Sequence, residues 1–289
     1  MNILITGNKG FVGTETQKYF ESQDLTVFGY DIMEDHNDIR DLARLESFVV
    51  DNKIDRILHL AAIARFADAD KDPQLAFETN VLGTKNVAEV AKKYHIPVVY
   101  SSTGSVYMPI TDFTGAIKED WTAKGNSVYG CTKFAGETYI RECSPYIILR
   151  YAHLYGKEKR MHGLIGGFAD RISRGLAPTL YGGKQSNDFT YIKDIARANY
   201  LAITAPWDKW NQIYNIGTGE ELSAEKAGKD ICKALGWPED KVEVKEARTV
   251  DPERFWFDCT KAKTMLNFEP EYTFAKGLED MFKKEEVKV

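Results

Sequence analysis

The chain has 289 residues, of which 43% are hydrophobic, enough to bury a sizeable core in one large or two modest domains. Its net charge of −5, with no dense Lys/Arg run, excludes a nucleic-acid surface, and no apolar stretch approaches the ~18 residues of a membrane span. Four cysteines (Cys131, Cys143, Cys232, Cys259) and five histidines show no metal-ligand spacing, so reduced thiols, a cytoplasmic location and no bound metal are expected.

In chain order, Ile3-Leu4-Ile5 is an apolar run ending in Thr6-Gly7, and Gly10 and Gly13 lead into a helical pattern reaching about Phe20. This reads as strand, glycine turn and helix. The spacing Gly7-x-x-Gly10-x-x-Gly13 suits a tight turn, and it also lets the backbone approach a pyrophosphate, whose charge is favoured at a helix N-terminus. Leu25 to Tyr30 reads as a second strand with Asp31 at its end, where a carboxylate accepts both hydroxyls of an adenosine ribose and repels a 2′-phosphate. After Asp38-Ile39-Arg40-Asp41 come a helix to about Asn52, the strand Arg56 to Leu60, and the small residues Ala61 and Ala62, which suit a flat cofactor or tight packing. Leu75 to Tyr94 is expected to be one helix, in which Asn80 either bridges backbone groups or meets a cofactor.

Pro97 to Tyr100 is apolar throughout, as a parallel strand covered on both faces would be. It runs into Ser101-Ser102-Thr103, whose hydroxyls stand at the carboxyl end of a central strand, where doubly wound sheets bind ligands. A loop from Tyr107 to Ser127 leads to a helix carrying Tyr129-x-x-x-Lys133, a spacing that puts both side chains on one face. Beside a phenol, the lysine ammonium favours the phenolate and is expected to lower the Tyr129 pKa. With a fifth strand at Tyr146 to Arg150, the alternation predicts an α/β fold with a doubly wound parallel sheet. Beyond Gly156 the glycines break the pattern into a smaller lobe, and Gly163, Gly166, Gly167, Gly182 and Gly183 are expected to line a pocket there. The strands at Phe189 to Ile192 and Ile213 to Ile216 are expected to return to the main sheet, with a helix from Asp194 to about Thr204 between them. The expected organisation is a Rossmann domain, residues 1–157 with about 188–217 returning to it, and a C-terminal substrate-binding lobe of about 158–187 and 218–289, with helices at Thr260 to Leu266 and Phe274 to Lys283.

Thr6-Gly7-x-x-Gly10-x-x-Gly13, Asp31, Asp38-Ile39, His59-Leu60-Ala61-Ala62, Asn80, Ser101-Ser102-Thr103, Tyr129-x-x-x-Lys133, and Arg150 followed by Tyr155-Gly156 occur in an order that resembles the extended short-chain dehydrogenase/reductases. More narrowly, the chain looks like the nucleotide-sugar epimerase/dehydratase branch, similar to UDP-glucose 4-epimerase. The likeness extends through Asp188-Phe189-x-Tyr191-x-x-Asp194 and Tyr214-Asn215-Ile216-Gly217 to the C-terminal lobe.

The resemblance implies a catalytic triad of Thr103, Tyr129 and Lys133. Tyr129 would take the proton from a sugar hydroxyl while a hydride leaves for the nicotinamide of NAD, Thr103 would hold the same oxygen, and Lys133 would hold the nicotinamide ribose. The implied cofactor contacts are Gly7, Gly10, Phe11, Val12, Gly13, Asp31, Asp38, Ile39, Leu60, Ala61, Ala62, Asn80, Ser101, Tyr129 and Lys133. The implied partner is a nucleotide-diphosphate sugar, met by Thr103, Tyr129, His153, Asn187 and Arg248, and relatives pair into homodimers through the helices at Leu75 to Tyr94 and Tyr129 to Arg141.

Three positions depart from the pattern. Asn187 stands where many relatives have a phosphate-gripping arginine, His153 where they often have an asparagine, and Gly104-Ser105 where 4,6-dehydratases carry an acid pair. The expectation is therefore NAD-dependent epimerisation, at C4, without loss of water. A reductase of a 4-keto nucleotide-sugar and a non-catalytic dinucleotide sensor are the alternatives.

Overall fold

The computed structural model describes residues 1–108, 115–143, 145–157, 163–247 and 254–283. The six-stranded sheet comprises β1 (Asn2–Thr6), β2 (Thr26–Tyr30), β3 (Arg56–His59), β4 (Val98–Thr103), β5 (Tyr146–Tyr151) and, after the short β6 (His153–Tyr155), β7 (Thr179–Tyr181), β8 (Ser186–Asn187) and β9 (Phe189–Tyr191), the late strand β10 (Gln212–Ile216). β11 (Leu222–Ser223) and β12 (Glu243–Lys245) follow. The sheet order is β10-β5-β4-β3-β1-β2, and every pairing in it is parallel.

Period-two alternation explains why these strands read as unbroken apolar runs. Ile3, Ile5, Leu58, Val99, Ile147 and Leu149 join one buried cluster, whereas their neighbours Leu4, Ile57, Val98, Tyr100 and Ile148 join the other. On the first face the strands meet α1 (Phe11–Ser22) and, near the end of the chain's first two-thirds, α8 (Ile192–Ile203), through Phe20, Ile195 and Ala202. The second face is covered by α2 (Leu42–Asp51), α5 (Thr84–Tyr94) and α6 (Val128–Arg141), through Leu45, Val49, Val87, Ala91 and Ile140. The first cluster continues into α7 (Gly163–Ser173), α9 (Ala224–Ala234) and α11 (Phe274–Phe282) through Phe168, Ile231 and Leu278. Of the remaining helices, α3 (Phe66–Lys71) and α4 (Pro73–Phe77) follow β3, and α10 (Thr260–Leu266) precedes α11.

Two expected elements come out differently. Phe189–Tyr191 does not return to the main sheet; β9 pairs in parallel with β6 in a separate two-stranded ribbon, His153 opposite Phe189. Ile213–Ile216 does return, at the β5 edge. The expected continuous helix Leu75–Tyr94 is interrupted by a π-helical turn, Glu78–Gly83, between α4 and α5. Its extra residue lets Asn80 reach sideways to the loop after β3, a use typical of π turns.

Candidate active site

Successive strands leave β1 in opposite directions, to β2 on one side and β3 on the other, and this reversal opens a crevice at their carboxyl ends. Gly7 turns the chain there with φ +74°, and a Cβ on it would lie 2.7 Å from the Ala61 nitrogen. A Cβ on Gly13 would lie 2.1 Å from the Gly7 carbonyl, so α1 presses directly on the turn. α1 has no side-chain cap at Gly10 and no acidic residue in its first turn, which leaves amides at Phe11 and Val12 and the positive helix end to receive an anion. These residues fit the pyrophosphate of a dinucleotide.

Asp31 is fixed at the end of β2 by the amides of Lys9 (3.0 Å) and Met33 (2.9 Å), one on each carboxylate oxygen. Each oxygen keeps a further lone pair, enough for two ribose hydroxyls. Other expected cofactor contacts also hold the frame. Ala61 covers Gly7, Ile39 packs against Gly83, and the Asp38 carboxylate lies in the fork of Arg40. Leu60 and Ala62 are half-buried beside them. The Ser101 hydroxyl donates to the His59 carbonyl at 3.1 Å. The Asn80 amide is fully committed: its oxygen accepts from Ile63 N at 2.8 Å, and its nitrogen donates to the Ile63 carbonyl and to Thr132.

The three residues of the expected triad meet at the ends of β4 and α6. Ser127 caps α6 through the Gly130 amide, and one turn on Lys133 is buried, its ammonium 4.2 Å over the Tyr100 ring. Tyr129 keeps partial access to solvent, with Phe66 of α3 edge-on to its ring at 5.3 Å. Thr103 donates to Ser105 Oγ at 3.2 Å and accepts from Ser105 N at 3.2 Å, with the Tyr129 phenol close to its hydroxyl.

The expected effect of the lysine on the phenol is not what the site displays. Enclosure pushes the Tyr129 phenol up to about 12, partly offset by the Thr103 hydrogen bond, and Lys133 does not enter the balance. Burial also pulls Lys133 down to about 7, and the Glu137 carboxylate opposes that shift. A helical spacing of four aligns the two side chains but does not set their separation or the dryness around them.

The sequence reading missed the polar groups beneath the triad. Glu137, one turn beyond Lys133, is completely buried and holds Arg150 in a bidentate pair (2.8 and 2.7 Å), while Ser102 donates to the same carboxylate at 2.6 Å. Its position four residues after Lys133, on the same helix face, was the available signal. His59 is buried between two hydroxyls, Nδ1 2.7 Å from Thr6 and Nε2 2.9 Å from Thr84. Desolvation first, then the nearby Lys133 charge, hold its pKa well below 6.5. Below about pH 6.5 the unfolded chain takes up a proton at this position and the folded one does not. Stability should therefore fall by up to about 1.4 kcal/mol per pH unit from this group as the solution is acidified, a slope that urea titrations of His59→Gln should lack.

Of the expected substrate residues, His153 stands open on the cleft wall, edge-on to Phe189 at 5.1 Å, with its backbone amide bound to the Asp188 carbonyl. Asn187 is half-buried in β8, immediately before Asp188, whose buried carboxylate gathers Thr218 N, Thr218 Oγ1 and Gly219 N. Arg248 lies outside the described residues; Arg254, in the same stretch of chain, is paired with Glu221. The expected glycine-lined pocket is not one feature. Gly163, Gly166 and Gly167 belong to α7, whereas Gly182 and Gly183 form a turn packed on Gln185 and Ala247. A Cβ on Gly163 would lie 4.0 Å from His153 Nε2.

Among the described residues no group of three or more His, Cys, Asp or Glu is placed to hold a metal ion, and no helix is long and apolar enough to cross a membrane.

Residues 3–217 match the model of the NAD dependent epimerase/dehydratase family. Across 96% of its length the chain is 29% identical to a putative UDP-glucose 4-epimerase of Methanocaldococcus jannaschii, covering 95% of that protein. A dTDP-glucose 4,6-dehydratase of Haemophilus influenzae is 26% identical, with 98% of this chain and 97% of that protein covered. The UDP-glucose 4-epimerase of Thermotoga maritima, solved with UDP-glucose, has the same fold with a TM-score of 0.87 at 27% identity over 97% of both chains. That of Thermus thermophilus, solved with NAD, gives 0.85 at 26% identity, again over 97% of both. With a family match spanning most of the chain, and a glycine turn, an acid-ended second strand and a Tyr-x-x-x-Lys helix around one crevice, the protein belongs to the NAD-dependent epimerase/dehydratase family.

Proposed function

We propose that the protein inverts C4 of a nucleotide-diphosphate sugar through a transient keto intermediate. The observation that carries this reading is the meeting of Thr103, Tyr129 and Lys133 at the carboxyl end of β4, beside the glycine turn at Gly7–Gly13. Bound at that turn and at Asp31, NAD supplies a hydride acceptor. Tyr129 takes the proton of the C4 hydroxyl, Thr103 holds the oxygen as it becomes a carbonyl, and Lys133 holds the ribose next to the phenol. The sugar then turns about its link to the diphosphate, and Tyr129 returns a proton when the hydride comes back to the opposite face.

Water elimination is not part of the reaction, because it needs an acid and a base after Thr103. Gly104 is packed beneath Phe255 and Phe257, where a Cβ would lie 2.4 Å from the Phe255 ring, and Ser105 is neither acid nor base at neutral pH. The match to the Methanocaldococcus jannaschii relative over nearly the full length of both chains supports the epimerase reading over a reductase. His153, Asn187 and Arg248 are the proposed sugar and diphosphate contacts. The boundaries at about residues 157, 188 and 217 are the proposed limits of the cofactor and substrate parts. Exposed Phe77, Leu82 and Tyr94 on or beside the π turn and α5 support a homodimer through those helices, and four free thiols support a cytoplasmic location.

Incubation with a panel of nucleotide-sugars, UDP-glucose first, should give a C4-inverted product by proton NMR. A panel without any inverted sugar would remove the reading. Asp31, with Glu34 just beyond it, should make NAD bind at least about tenfold more tightly than NADP, roughly 1.4 kcal/mol, by calorimetry. Equal affinities would contradict the placement of the ribose.

A further inference from the structure

Lys133 is buried, lies against an aromatic face, and still has to carry charge if it is to hold a ribose beside a proton-transferring phenol. The ionisable groups facing it come from every element packed around it: His59 on β3, Tyr100 on β4, and Tyr129 and Glu137 on α6, with Arg150 on β5 behind the carboxylate. His59 is held neutral between Thr6 and Thr84, and burial keeps the Tyr100 phenol protonated, its hydroxyl donating to the Lys133 carbonyl. Glu137 is therefore the one carboxylate among them.

We propose that Glu137 is a positioning residue of the candidate site, a buried carboxylate locked in one rotamer by Arg150 and Ser102 that keeps the Lys133 ammonium charged from one helical turn away. Its environment is built for that task. The carboxylate has no access to solvent and receives Arg150 Nε and Nη2, the Ser102 hydroxyl and, at the helix end, Arg141 at 3.0 Å. Four donors on one carboxylate fix its position. Glu137 lies four residues after Lys133, on the same face of α6. Ser102 ties the same group to β4 between Ser101 and Thr103, so the strand that presents Thr103 and the helix that presents Tyr129 and Lys133 share one anchor.

The inference rests on the proposed role of Lys133, but it can be tested on the amine itself. The protein is labelled with [ε-13C]lysine, the Lys133 signal is identified by its loss in Lys133→Arg, and its titration is followed by NMR. Glu137→Gln, which keeps the shape and removes the charge, should lower the Lys133 midpoint by about one unit, a tenfold loss of proton affinity. Should Glu137→Gln fail to fold because Arg150 is left unpaired, Glu137→Gln/Arg150→Met removes both buried charges, and a smaller downward shift is expected, because the lost cation, behind the carboxylate, partly offsets the lost anion. A folded variant of either kind with an unmoved midpoint overturns the proposal, because a purely structural Glu137 would change stability and not the titration of a neighbouring amine. Absence of epimerase turnover in the wild type would fail the functional reading and leave this measurement unaffected.

Discussion

Tyr129→Phe should lower the rate of epimerisation by about 10²–10⁴-fold, the usual contribution of a positioned proton-transfer group, with dinucleotide affinity nearly unchanged. The substitution removes one hydroxyl. It keeps the ring that meets Phe66 at 5.3 Å, and it leaves the Gly7 turn, the first turn of α1 and Asp31 untouched. Thr103 cannot replace the phenol, since an aliphatic hydroxyl is a far weaker acid. Single-turnover rates with NAD affinity measured on the same samples test this, and an unchanged rate would remove the triad from the mechanism.

Arg150→Ala should cost about 3–5 kcal/mol of stability, the largest loss expected from any single change described, because it strands the Glu137 carboxylate without solvent. The guanidinium also packs over the Tyr107 ring at 4.7 Å, and the Tyr107 hydroxyl binds Asn215 at 2.8 Å, linking the loop after β4 to β10. Urea unfolding monitored by fluorescence should show the midpoint falling sharply. Arg150→Ala paired with Glu137→Gln should recover much of the loss, since no buried charge is then unmatched. A loss under about 1 kcal/mol in Arg150→Ala would mean that the pair is hydrated and that Glu137 is not the buried anchor inferred above.

The layers of the fold were legible because local pattern and tertiary environment agree. Ile3-Leu4-Ile5 reads as a strand and Pro97 to Tyr100 as one covered on both faces, and alternate residues do fall into the two buried clusters. The same agreement made Gly7, Gly13 and Asp31 readable, since each is forced by a contact within its own strand-turn-helix unit or at its end. Legibility fails where a distant partner decides the outcome. Phe189–Tyr191 has the composition of a strand, but three residues do not encode that their partner is His153–Tyr155 rather than the main sheet. Nor does the helical pattern of Leu75 to Tyr94 signal the π turn at Glu78–Gly83, from which Asn80 reaches Ile63.

The site divides in the same way. Tyr129 and Lys133 lie on one helix face as their spacing requires, yet their protonation follows from enclosure by β3, β4 and β5, which no spacing carries. Glu137 looked like one more charge on a helix. Only Arg150 and Ser102, brought to it by two neighbouring strands, make it a buried one.

The central claim is that one hydride leaves C4 and returns to C4 within a single binding event. The most direct test supplies UDP-glucose deuterated at C4, with unlabelled NAD, and reads the product by NMR while absorbance at 340 nm reports NADH. The account predicts an inverted product that keeps its deuterium at C4, with no net NADH formed or consumed. Loss of the label from C4, or one-to-one oxidation of added NADH with a keto sugar, would contradict it.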